Sequence, residues 1–108
     1  MRASVDRRGV LSFPSLLPAP GKDIVTEMKA MVAERSSRAV PDHKRVDARR
    51  ARVIGAVRNG DFSLSVEIRG SNQQYAVSKA LNLINEMFVT LHERHPDYLV
   101  EQFGISQE

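Results

Sequence analysis

The pair Asn59-Gly60 divides two runs of alternating residues, and Ser71-Asn72-Gln73-Gln74 follows shortly after them. Asn-Gly is the pair best suited to the left-handed dihedrals of a two-residue type I′ hairpin turn. Taken as the loop, it sets a register in which Arg58 faces Asp61, Val57 faces Phe62, Gly55 faces Leu64, Val53 faces Val66 and Ala51 faces Ile68. Apart from the pair at the turn mouth, that register puts no charged or polar side chain on the shared face of Val57, Gly55, Val53 and Ala51. The opposite face pairs Ala56 with Ser63, Ile54 with Ser65 and Arg52 with Glu67, so polar groups meet solvent and opposite charges meet each other. A slip of one residue would undo both faces. Segment 46–58 also reads as a helix, because Ala and Arg favour one by propensity. Agreement on two faces at once favours strands at 51–57 and 62–68.

Ser71 and Gln74 have the spacing of a capping box, so a helix is expected over 72–94, ending before Pro96. Ala76, Val77, Ala80, Leu81, Leu83, Ile84, Met87, Phe88 and Leu91 fall on an arc of roughly 160°, wider than the roughly 100° stripe of a helix that makes one contact. Pro96 opens a short second helix over 96–103, with Tyr98, Leu99 and Phe103 turned inward and Gly104 as its stop. A helix of this length is about 34 Å long, against about 23 Å for the strands. A lone hairpin is also marginal in water. The helix therefore needs more cover than two strands give. The simplest source is a second copy, giving an α+β homodimer with a shared four-stranded antiparallel sheet. Leu83, Met87, Phe88 and Leu91 are the expected dimer or partner surface.

Residues 1–43 read as a flexible arm ahead of a 44–108 core domain. Pro14, Pro18 and Pro20 interrupt its hydrophobics, and it holds one short amphipathic helix over 23–35, with Ile24, Met28, Met31 and Val32 on a narrow face. That face either packs on its own chain or offers an adaptable contact to a protein partner. Arg7-Arg8 before an apolar stretch is a poor export signal, because the prolines break the stretch and no small-x-small site follows.

Charge is uneven. Residues 1–60 hold 13 Lys+Arg against 6 Asp+Glu, and residues 61–108 hold 3 against 7. Lys44, Arg45, Arg49, Arg50 and Arg52 form the densest basic run, the candidate nucleic-acid contact. No aromatic cluster stands beside it to stack on bases. Absence of cysteine excludes disulfides, thiolate metal sites and a cysteine nucleophile, and fits a cytoplasmic protein. No apolar run approaches the roughly 20 residues that span a bilayer. His92-Glu93-Arg94-His95 lacks the His-Glu-x-x-His spacing of a zinc protease. Gly55, Gly60 and Gly70 make no phosphate loop, and no acid, base and nucleophile converge. The expectation is a small non-enzymatic protein-interaction domain of adaptor or regulatory kind, without metal or cofactor, with nucleic-acid binding as the alternative.

Overall fold

A computed structural model describes residues 3–37 and 40–104. Its elements are β1 (Ser4–Val5), β2 (Val10–Leu17), α1 (Lys22–Glu34), β3 (Ala51–Arg58), β4 (Asp61–Ile68), α2 (Gln73–Arg94) and α3 (Pro96–Phe103). The strands form one antiparallel sheet in the order β1-β2-β4-β3, with helices against one face. This is an α+β fold.

The hairpin keeps the register set by its turn, from Arg58↔Asp61 to Ala51↔Ile68. Asn59 and Gly60 have φ of 54° and 83°, the left-handed pair that a type I′ loop requires. Alternation then does the sorting. Phe62, Leu64 and Val66 are buried under the helices, while Ser63, Ser65 and Glu67 line the open face.

The expectation of a loose arm is corrected at β2, which pairs with β4 on the side away from β3. Leu11 and Phe13 point inward by ordinary alternation. The ladder is then irregular between Phe13 and Leu17, Ser15 takes φ 51°, and both Leu16 and Leu17 are buried. This bulge breaks the period of two that marks a strand in sequence. Pro14 sits within it, exposed, at a place where the ladder is interrupted anyway. Side chains of β4 supply the missing bonds. Ser63 Oγ accepts from the Ser15 N–H at 3.1 Å, and Asp61 Oδ1 from the Ala19 N–H at 3.0 Å. Arg7 and Arg8 fall in the β1–β2 turn, where the Asp6 carboxylate accepts from the N–H groups of Arg8 and Val10.

The four-stranded sheet thus comes from one chain rather than from two paired hairpins, with β2 on the edge of β4 away from β3. Leu83, Met87 and Leu91, expected at a partner surface, are fully buried between α2 and the rest of the chain. Phe88 is half-buried and meets Phe103 of α3 edge-on at 5.5 Å. Most of the apolar arc of α2 is covered from within the chain, while Val77 and Phe88 are half-buried and Leu81, at its border, is 45% exposed. Ile24 and Met28 of α1 are buried in the same core, so that face of the helix packs on its own chain.

Helix ends follow the sequence with one exception. α2 starts at Gln73 without a side-chain cap, because Asn72 Nδ2 donates to the Arg69 carbonyl and Ser71 lies outside the helix. Pro96 opens α3, and Gly104, φ 65°, closes it. The Tyr98 hydroxyl donates to the Pro18 carbonyl at 2.6 Å, tying α3 to the end of β2, and burial pushes its phenol up to about 12.

Gly55 is a point of close approach between the layers. A Cβ there would lie 2.7 Å from Phe62 Cζ and 3.3 Å from Val32 Cγ2 of α1. Gly55→Ala is expected to lower stability by about 1–3 kcal/mol in urea unfolding, through forced displacement of the Phe62 ring. An unchanged midpoint would show that the ring moves aside freely. Since Tyr98 is held neutral, its contribution is complete below its unfolded pKa near 10 and is lost as pH rises towards 12. Tyr98→Phe should remove that part of the alkaline loss, measured by unfolding at stepped pH.

Candidate docking edge and the basic segment

The basic run is divided in part: Arg45, Arg49 and Arg50 border one cleft, while Lys44 and Arg52 lie apart from it. Lys44 Nζ lies 2.7 Å from Glu86 Oε1 on α2. Arg45 Nη1 lies 2.8 Å from Asp42, and the same guanidinium donates to the carbonyls of Ser37 and Val40, so it braces its own loop. Arg49 Nε is 3.3 Å from Asp47, whose carboxyl is held below the usual carboxylate range by the backbone N–H and side chain of Arg49. Arg52 emerges on the open face of the sheet, 3.7 Å from Glu67. Among the five, Arg50 alone has no carboxylate partner within the described residues.

Arg50 instead lies over the Tyr75 ring, 5.0 Å from its centre, and Lys79 Nζ lies 5.5 Å from the same point. The Tyr75 hydroxyl accepts from the Asp47 N–H at 2.8 Å, which fixes the ring against the loop. These groups border an open cleft of about 580 Å³. Two cations already attend the one aromatic ring, which leaves it poorly placed to stack on a base.

Arg35, at the end of α1, is the one charged residue in the core of the described chain, 4% exposed. Its Nη1 meets Glu86 Oε2 at 2.6 Å, so Glu86 joins Arg35 and Lys44 and ties α1 to α2. The two cations hold the Glu86 carboxyl below its ordinary value. At the other end of α1, Glu27 meets Arg94 at 2.7 Å and His95 Nε2 at 3.2 Å, while Asp23 lies 3.9 Å from His95 Nδ1. His92 is exposed. Among the described residues no group of three or more His, Asp or Glu side chains is placed to hold a metal, and no helix is long and apolar enough to cross a membrane.

Sequence reasoning passed over the outer edge of β3. β3 ends the sheet, and its residues alternate between two directions of backbone hydrogen bonding. With a two-residue loop, Arg58, Ala56, Ile54 and Arg52 bond to β4, which turns the N–H and C=O groups of Val53, Gly55 and Val57 outward. The Ala51 N–H has the same outward sense and donates to Asp47 C=O at 3.0 Å, in agreement with this phase. No described residue bonds the outward groups of Val53, Gly55 or Val57. Val57 is 44% exposed beside them. The strand was legible, but its being an edge depends on sheet order, which the hairpin alone does not set.

Glu86→Gln should cost about 1–3 kcal/mol at neutral pH, since it weakens the one ion pair that the described residues give the buried Arg35 guanidinium. A carboxyl whose folded pKa is depressed stabilises above its unfolded value and loses that contribution as pH falls through the folded one. The gap between wild type and variant should therefore narrow below about pH 4.5 in unfolding at stepped pH. A gap constant with pH would assign the cost to packing.

No family model matches the chain, and no curated protein or solved structure matches it either.

Proposed function

We propose that the chain is a non-enzymatic protein-binding domain that takes an extended segment of another protein as an added strand along β3. The observation that carries this reading is the outer edge of β3, unpaired among the described residues, whose outward backbone groups at Val53, Gly55 and Val57 adjoin exposed Val57. Strand addition uses such an edge directly, with main-chain bonds for affinity and alternate side chains for selectivity.

A second copy is the competing occupant. The case for it from an unfinished core is weakened, since β2 and α1 complete that core within the chain. Pairing two β3 edges about Gly55 would also set Arg52 of one copy against Arg58 of the other, a like-charge cross-strand pair that destabilises the ladder. Nucleic-acid binding draws less support. Four of the five cations proposed for it already meet carboxylates, which reduces the number of phosphates the run could neutralise.

Val57→Pro tests the reading. It deletes an outward N–H without removing a β3–β4 ladder bond, whereas Ala56→Pro deletes a ladder donor. Proteins that bind the wild-type chain should be lost from Val57→Pro, and their binding should slow amide exchange at Val53, Gly55 and Val57 of the wild type. Retained binding by a folded Val57→Pro chain, or slowed exchange confined to another surface, would overturn it. Light scattering that shows a dimer lost in Val57→Pro would make the second copy the occupant.

A further inference from the structure

The chemistry of the segment that fits beside β3 follows from the walls of the groove. α1 runs antiparallel to β3 above its inner face. The Arg35 carbonyl at the end of α1 accepts from the Val46 N–H, just ahead of β3, while Ala19, before the helix, is bonded to Asp61 at the hairpin turn. Val32 packs over Gly55. Val25, Lys29 and Val32, spaced i, i+4 and i+7, share one flank of the helix. All three carboxylates of α1 belong to the other side. Asp23 and Glu27 face His95 and Arg94, and Glu34 borders a small cavity with Arg35 and Glu86.

The flank beside the free edge therefore presents two half-exposed valines and an exposed lysine, and no carboxylate. On the sheet side, Arg52 and Arg58 stand on the open face at the two ends of β3. Arg58 has no ion pair among the described residues. The Asp61 carboxylate opposite it accepts from the Ala19 N–H and is held below its ordinary pKa by that bond and by Ser15. The Arg52–Glu67 pair is long, at 3.7 Å, and both side chains are open to water, 64% and 40% exposed. The groove has an apolar floor and cationic rims.

We infer that the segment bound at β3 is an acidic one, with apolar residues alternating with glutamate or aspartate. This rests on the strand-addition reading above. An added strand sends alternate side chains to opposite faces. Its inward residues lie against Val57 and under Val25 and Val32, which selects aliphatic side chains. Its outward residues lie beside Arg52 and Arg58, which selects carboxylates at both ends of the paired stretch. A basic segment would place like charges across the ladder at both positions, and a second copy of this chain does the same. Lys29 on the helix side adds attraction of the same sign.

Three capped peptides of about ten residues, long enough for one strand, make the test: valine alternating with glutamate, with glutamine or with lysine. Each is titrated at low salt into the isotope-labelled full chain, with amide shifts, exchange and light scattering recorded. The glutamate peptide should bind at least about tenfold more tightly than the glutamine peptide, since exposed cross-strand charges act weakly but together. The lysine peptide should not bind. Exchange should slow at Val53, Gly55 and Val57, and added salt should remove the preference for glutamate. The double variant Arg52→Glu with Arg58→Glu, both exposed and checked for an intact amide spectrum, should prefer the lysine peptide.

Equal binding of glutamate and glutamine peptides, blocked by Val57→Pro, would overturn the acidic assignment and leave strand addition standing. Glutamate-peptide binding that shifts the Arg50–Tyr75–Lys79 cleft instead of β3 would overturn both. So would a monomer that binds none of the three. A chain that self-associates through β3 and excludes all three peptides would have a second copy as its occupant, against the inference.

Discussion

The Phe62 ring lies across the place where Gly55 would carry a side chain, and the rest of the layer arrangement depends on that contact. Phe62 is the first inward residue of β4 and is wholly buried. Since Gly55 offers no Cβ, the ring spreads over the neighbouring strand, and Val32 of α1 settles on the same spot. The close approach brings α1 low over β3, where the Arg35 guanidinium at its end meets Glu86 of α2. One missing methyl group thus links the hairpin, the first helix and the long helix.

β4 is the organising strand for the same reason. It is bonded on both sides, to β3 through a tight turn and to β2 across a long excursion in sequence. Local pairing is expected to form readily, whereas pairing with β2 must first close a loop that includes α1 and the 35–50 segment. The irregular stretch of β2 is pinned by Ser63 and Asp61. The strand with the weaker ladder is therefore held partly by side chains of its neighbour.

What was legible in the sequence follows the same division. The hairpin register could be read because Asn59-Gly60 fixed it and two faces checked it. The long helix could be read because its apolar arc repeats over several turns. β2 could not, since the Pro14-Ser15 bulge shifts its phase before the alternation has run long enough to register. The excess width of the α2 arc is a sound sign that more cover is needed than a hairpin gives, and α1 and β2 supply much of it from within the chain. At the surface, Arg45, Arg49 and Arg50 border one cleft, while Lys44 and Arg52 are their neighbours only along the chain. Four of the five meet four different carboxylates, Arg50 lies over Tyr75, and Arg52 alone stands on the sheet.

The sheet is unequal at its two ends. On one side it finishes in β1, which is two residues long, and on the other in β3, which is eight. On the strand-addition proposal, a partner strand docked on β3 would find a far side of a different kind, where β1 covers only Leu11 and Ser12 of β2 and the ladder beyond Phe13 is irregular. Such a domain would have a valence of one, and joining two or more partners would require copies of it to be linked by some other means.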